Sequence, residues 1–107
     1  MRDLVIGADV GTSSLKAVLF SRDGRIVATA QQGYPLAYPA PAQVEQNAGD
    51  WWQALVAAVR TLTRDVNPAR VSAIGLSTQG GTLVAVEAQG RTLHPAISWM
   101  DTRAQRQ

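Results

Sequence analysis

In the stretch VIGADVGTSSLKAVLF, residues 5–20, one carboxylate, Asp9, stands between Gly7 and Gly11 with apolar runs on either side. A charge in that position either caps a turn or holds something charged. Gly11, Thr12, Ser13 and Ser14 are small enough for backbone N–H groups and hydroxyls to turn toward one concave spot, and such a spot accepts phosphate oxygens. A carboxylate beside it can hold Mg²⁺, chiefly through water, because Mg²⁺ keeps much of its hydration shell and pairs with phosphates. Asp also closes glycine-containing turns, with Thr and Ser supplying local hydrogen bonds. The motif alone leaves both readings open.

Other familiar motifs fail on spacing. A Walker A loop needs Lys followed by Ser or Thr after its glycines, whereas the only lysine, Lys16, precedes Ala17 and falls within an expected strand. The G-x-G-x-x-G dinucleotide fingerprint opens a helix, while Gly7 and Gly11 open a hairpin. Gly75-Leu76-Ser77-Thr78-Gln79 begins like a nucleophile elbow, but its closing glycine is missing and His94, the only histidine, would be the sole base. Ser77 reads instead as the polar end of a strand. With one histidine and no cysteine, a zinc centre of the usual kind lacks ligands.

The elements that must position Asp9 follow from hydrophobic periodicity. Leu4 to Ala8 is a continuous apolar run, expected as a strand covered on both faces. Ser14 to Phe20 alternates Leu15, Ala17 and Leu19 against Lys16, Val18 and Phe20, which is strand spacing. Asp23-Gly24 marks a tight hairpin, after which Ile26 to Gln31 continues as a third antiparallel strand. Residues 33–49, carrying Pro35, Pro39 and Pro41, read as a long ordered loop. Asp50 is expected to cap a helix from Trp51 to about Asp65, with Trp51, Leu55, Val59 and Leu62 forming its apolar stripe, Trp52 and Val56 widening it, and Asn67-Pro68 ending it. Val71 to Leu76 is expected as a buried strand and Leu83 to Val86 as another. Ala88 to Arg91 then turns into a last segment near Leu93 to Trp99. Asp101-Thr102 looks like a helix start and residues 103–107 like its first turn, so the sequence reads as part of something longer.

The composition bounds the class. The chain has 107 residues, 46% hydrophobic and 17% charged, which is ordinary for one folded domain. A formal charge of +2 with scattered arginines and no dense basic run argues against a nucleic-acid surface. The absence of cysteine fits a reducing compartment, and no apolar run approaches a signal-peptide core or a membrane span. The expected location is cytoplasmic.

Three blocks, in order, resemble the FGGY carbohydrate kinases of the actin/Hsp70/sugar-kinase superfamily. GADVGTSSLKAVLFSRDGRIVA is similar to that family's first phosphate-binding hairpin, VEQNAGDWWQAL to its loop and first helix, and IGLSTQGGTLVAVEAQGRTLHPAISWMDTR to its sugar-facing segment. The resemblance implies an α/β fold of the ribonuclease H-like (actin-like ATPase) type: a mixed sheet with three leading antiparallel strands, then a helix and further strands. It makes residues 1–107 the N-terminal part of a sugar-binding lobe, an incomplete domain whose C-terminal lobe lies elsewhere. It further implies ATP and Mg²⁺ as cofactors, a ketose or polyol as acceptor, the remainder of a kinase chain as partner, and neither nucleic acid nor membrane. "EQ" followed by "DWW", and the pattern ending at Arg103, resemble the xylulokinase branch.

On this resemblance Asp9 is the Mg-phosphate acid, and Gly11, Thr12 and Ser13 form the turn facing the γ-phosphate. Gln79, Gly80, Gly81, Trp99 and Asp101 line the sugar pocket. The catalytic base and the adenosine pocket fall beyond residue 107, so this chain alone is expected to be inactive. Gly80-Gly81 departs from the family, since xylulokinases typically carry Met-His there and glycerol kinases Arg-Glu. Trp51 and Trp52 read as helix-packing residues, and Trp99 as a stacking surface for a sugar or a core residue. Asp101 reads as an N-cap, a pocket residue or both, Arg103 as a salt-bridging brace, and His94 as an exposed turn-edge residue. The competing class is a non-catalytic, sugar-responsive regulator of the same fold.

Overall fold

The computed structural model describes residues 1–106. Strands β1 (Leu4–Val10), β2 (Ser14–Ser21) and β3 (Ile26–Gly33) form an antiparallel meander, and β5 (Val71–Thr78) adds parallel to β1, giving the mixed order β3-β2-β1-β5. The three leading strands are as expected from the sequence, with β1, β2, β3 and β5 each running one or two residues further, so that β1 continues through Asp9 to Val10. Between β3 and β5 come β4 (Glu45–Gln46) and α1 (Ala48–Leu62). Strand β4 pairs with β6 (Ala96–Ile97) in a second, two-stranded sheet. A parallel β1–β5 pair requires such a helical crossover, because the chain must return to the same end of the sheet.

One face of the sheet makes the core. Leu4, Ile6 and Ala8 of β1 lie in register with Leu19, Ala17 and their neighbours in β2, and α1 places Ala54, Ala58 and Leu62 over them. Leu15 and Leu19 are fully buried, each contributing roughly 1.5–3 kcal/mol by burial. The small Ala54 and Ala58 let the helix approach the sheet closely, and Trp51, Leu55 and Val59 pack at the margins.

Several details correct the sequence reading. The helix starts three residues before Trp51, at Ala48, because Asn47 and not Asp50 is the cap: Asn47 Oδ1 accepts from Gly49 N at 2.9 Å. Asp50 lies in the first turn, where its charge complements the helix dipole. The helix stops at Leu62, short of Asp65, with Thr63 as its C-cap at φ −100° and ψ 8°, where the Thr63 amide and hydroxyl bond to Val59 O at 3.0 and 2.8 Å. Asn67-Pro68 opens a separate 3-10 turn, Pro68–Arg70. Trp52 does not join the apolar stripe; it is 67% exposed, well round the helix from the buried line Ala54-Ala58-Leu62.

Strand β5 is not buried either. Ile74 and Leu76 continue the apolar face in register with Ile6 and Ala8, but α1 lies over β2 and β3, leaving them 47% and 60% exposed. On the opposite face Val5 and Gly7 are only partly covered, so β1 is enclosed on one side. Leu83 to Val86 forms no continuous strand. Leu83 bridges Ile97 and Val86 bridges Thr92, around a turn closed by Gly90 N–H to Glu87 O at 2.9 Å. The segment near Leu93 to Trp99 is strand only at Ala96–Ile97. The expected C-terminal helical turn is a 3-10 turn, Arg103–Arg106; Gln107, expected to continue it, lies outside the described residues.

Candidate active site

Residues 11–13 link β1 to β2 and form the turn next to Asp9. Gly11 N–H donates to Ser14 O at 3.0 Å, and a Cβ on Gly11 would sit 2.9 Å from that oxygen, so only glycine fits. The turn's carbonyls are taken by groups from other elements. Gly11 O accepts from the Tyr34 hydroxyl and from Gln79 Nε2 at 3.1 Å. Thr12 O accepts from Gln46 Nε2 at 2.6 Å, and Ser13 O from Tyr34 N at 3.1 Å. Among the described residues the Thr12 and Ser13 N–H groups have no protein acceptor. Successive N–H groups left without a protein acceptor are the groups an anion site draws on.

Asp9 is exposed at the end of β1, in register with Lys16 of β2 and Ser77 of β5 on the open face of the sheet. Burial pushes the Tyr34 phenol up from its ordinary pKa, and the Asp9 carboxylate adds to the shift. No group of three or more His, Cys, Asp or Glu side chains suited to a metal occurs among the described residues. A single exposed carboxylate beside N–H groups without protein acceptors fits Mg²⁺ held through water and phosphate oxygens, and does not fit a closed protein cage.

The residues expected to line a pocket lie on the other side of this turn. Gln79 N–H donates to Val10 O at 2.8 Å, which fixes the chain as it leaves β5. Gly80 has open space where a Cβ would go, whereas Gly81 has φ +75° and a Cβ there would lie 3.3 Å from Trp99 Cβ. Trp99 is 54% exposed and donates its indole N–H to Thr12 Oγ1 at 2.8 Å, so it is a surface residue tied to the turn and not a core residue. Asp101 is differently placed. Its buried carboxylate accepts from Val44 N at 2.7 Å, from Arg103 N at 2.9 Å and from the Arg103 guanidinium at 2.6 Å. Arg103 also reaches Glu45 at 2.7 Å. The guanidinium beside Asp101 holds that carboxyl well below the usual carboxylate range, with the Arg103 and Val44 amides adding to the effect. In this arrangement Asp101 caps the 3-10 turn and Arg103 braces the loop. Exposed His94 stands at the edge of the last hairpin, away from the turn.

Residues 4–107 match the N-terminal domain of the FGGY family of carbohydrate kinases. The chain belongs to that family. A glycerol kinase of Xanthobacter autotrophicus is 41% identical over 96% of the chain and 21% of its own length. A gluconokinase of Bacillus subtilis is 34% identical over 98% of the chain and 20% of its own length. Among solved structures, a ligand-bound xylulose kinase of Lactobacillus acidophilus superposes with a TM-score of 0.90 at 30% identity, covering 96% of this chain and 21% of that one. The fold is that of the actin-like ATPases, as the sequence implied, and the chain spans about a fifth of the length of these relatives. Glycerol, gluconate and xylulose kinases all match, so the likeness carries the family and not one acceptor.

Within this FGGY domain, four contributors to the site carried no chemical signal in the sequence. Tyr34 lies in a proline-rich loop, and Gln46 is a neutral amide just before a helix cap. Thr82 follows two glycines, and Trp51 reads as a packing residue. Gln46 is 2% exposed, and its Oε1 accepts from Trp51 Nε1 and from Gln79 Nε2, each at 3.2 Å. Thr82 Oγ1 donates to Gln79 Oε1 at 2.9 Å and accepts from Trp99 N at 3.2 Å. Only the buried polar character of Gln46 is legible, from its place between Val44 and the helix; its partners Thr12 and Gln79 are 34 and 33 residues away.

Proposed function

We propose that the full-length protein phosphorylates a polyol or ketose with ATP, and that this chain supplies its first phosphate turn and one wall of the acceptor pocket. The observation that carries the reading is the Gly11–Ser13 turn, whose carbonyls are occupied by Tyr34, Gln46 and Gln79 while the Thr12 and Ser13 N–H groups lack protein acceptors. Asp9 stands beside it. Membership of a carbohydrate kinase family supports the phosphoryl-transfer chemistry.

Phosphoryl transfer asks a protein mainly for positioning and for stabilisation of charge on the transferring group. ATP with Mg²⁺ supplies that group when bound. The N–H groups of Thr12 and Ser13 would hold phosphate oxygens, and Asp9 would hold Mg²⁺ through water. Trp99 offers an indole face to the C–H side of the acceptor, with Gln79 and the space at Gly80-Gly81 beside it. No residue of this chain is assigned as the base that takes the acceptor's proton. A xylulose-like ketose is the acceptor that the sequence resemblance favours, and the open space at Gly80 leaves room for a larger one. A cytoplasmic location belongs to the same reading; among the described residues no helix is long and apolar enough to cross a membrane.

The test is a coupled ADP-release screen of the full-length protein against glycerol, pentuloses, hexuloses, other polyols and gluconate. Turnover with one of them supports the reading and names the acceptor. Acceptor binding without ADP release replaces it with the sugar-responsive regulator. Absence of both binding and turnover overturns it.

A further inference from the structure

Five side chains close a ring of hydrogen bonds between the two halves of the site. Starting at the phosphate turn, Thr12 O accepts from Gln46 Nε2 at 2.6 Å, and Gln46 Oε1 accepts from Gln79 Nε2 at 3.2 Å. Gln79 Oε1 accepts from Thr82 Oγ1 at 2.9 Å, and Thr82 Oγ1 accepts from Trp99 N at 3.2 Å. Trp99 Nε1 returns to Thr12 Oγ1 at 2.8 Å. Donor and acceptor roles leave no freedom in this ring. An indole N–H only donates and a backbone carbonyl only accepts, so Gln46, lodged between Trp51 Nε1 and Thr12 O, has one amide orientation. Thr82 has one hydroxyl proton, given to Gln79, and must accept from Trp99. Gln46 is 2% exposed, so losing any of its bonds leaves a polar group stranded without water.

We infer that Gln46 and Thr82 are positioning residues that couple the acceptor pocket to the phosphate turn, so that an acceptor settling on Trp99 and Gln79 fixes the conformation of Gly11–Ser13 and tightens binding of the nucleotide's phosphates. This inference rests on the function proposed above. The ring has the properties such coupling needs: it is closed, both of its arms run from Trp99 as donor to Thr12 as acceptor, and its members touch both ligands' expected places while Gln46 and Thr82 act only through their neighbours. Coupling between two sites is reciprocal, so the same factor must appear whichever ligand is added first.

The experiment is calorimetric titration of the full-length protein with MgADP, alone and with glycerol, D-xylulose or gluconate at saturation. The wild type is expected to bind MgADP at least about fivefold more tightly when the acceptor is present, within the usual range of coupled sites. Gln46→Glu keeps both acceptor bonds, to Trp51 and Gln79, but cannot donate to Thr12 O. Thr82→Val cuts the link between Gln79 and Trp99, and Thr82→Ser keeps it. In Gln46→Glu and Thr82→Val the coupling factor should fall to within about twofold of unity, and Thr82→Ser should restore it. Circular dichroism checks each fold; if Gln46→Glu fails to fold, the Thr82 pair decides. Coupling retained in the folded variants overturns the inference and leaves the proposed function standing, as does a wild type that binds both ligands independently. A wild type that binds neither MgADP nor any acceptor overturns the proposed function, and the inference with it.

Discussion

Trp99 donates its indole N–H to Thr12 Oγ1 at 2.8 Å, joining residues 87 apart in sequence. Because the indole nitrogen can only donate, the Thr12 oxygen is an acceptor in this bond and its own proton is directed elsewhere. Thr12 therefore keeps a hydroxyl proton for another acceptor, beside turn N–H groups that have no protein acceptor among the described residues. Thr12→Ser keeps that hydroxyl and Thr12→Val removes it. In the full-length protein we expect Thr12→Val to lower kcat/KM by about fivefold or more, the scale of one hydrogen bond near 1 kcal/mol, and to shift tryptophan emission. Thr12→Ser should stay close to wild type in both. Equal loss in the two variants would assign the effect to packing of the Thr12 methyl group.

Asp9 is exposed and makes no ion pair among the described residues, so its removal should cost activity and not stability. Asp9→Ala is expected to reduce kcat on the order of 10²-fold, the scale for loss of one preorganised charge contact. The melting temperature should move by no more than about a degree or two, as for surface positions without special contacts. Steady-state kinetics beside calorimetry decides the point. Near-normal kcat would make Asp9 a turn cap.

Adjacent glycines should respond differently to the same change. A methyl group at Gly80 meets nothing within 4 Å, but at Gly81 it meets Trp99 Cβ at 3.3 Å on a backbone with φ +75°. Gly81→Ala should therefore cost about 1–2 kcal/mol of stability, the penalty for a side chain in the left-handed region, and disturb Trp99 emission. Gly80→Ala should leave both within about 0.5 kcal/mol of wild type and alter only the preference among acceptors. Denaturant unfolding of the two variants measures the contrast, and equal costs would contradict it.

The difference between these glycines illustrates what the sequence could carry. The strands around Asp9 were legible because alternation in Leu15, Ala17 and Leu19 is a local signal, and the turn was legible because Gly11 is needed for close approach. The helix was placed but started late, because Asn47 and Asp50 are both acceptable caps and only the loop geometry selects Asn47. Apolar Ile74 and Leu76 suggest a buried β5, yet which strands α1 covers is set by the crossover and not by their composition. The ring through Gln46, Gln79 and Thr82 was illegible for the same reason. Neutral amides and hydroxyls acquire roles only from partners brought close by topology, and 33 residues separate Gln46 from Gln79.

Asp101 gives the stability of the loop a pH dependence of fixed sign. Its carboxyl is held well below the usual range by Arg103, so the folded state binds its proton less readily than the unfolded chain, whose value is near 3.8. The stabilisation is then fully present above about pH 5 and is lost as pH falls below about 4 toward the depressed folded value. Asp3, lowered to about 2 by Arg70, acts in the same direction at the start of β1. The diagnostic quantity is therefore the difference between wild type and Asp101→Asn, in which the Asp3 contribution cancels. Asparagine also points an N–H toward the Arg103 guanidinium, so the variant should melt lower at pH 7. Scanning calorimetry from pH 7 to pH 2 should show the two melting curves converging below about pH 4, as the wild type loses what the variant never had. Curves that stay parallel across that range would mean that the Arg103–Asp101 pair contributes nothing to folding through its charge.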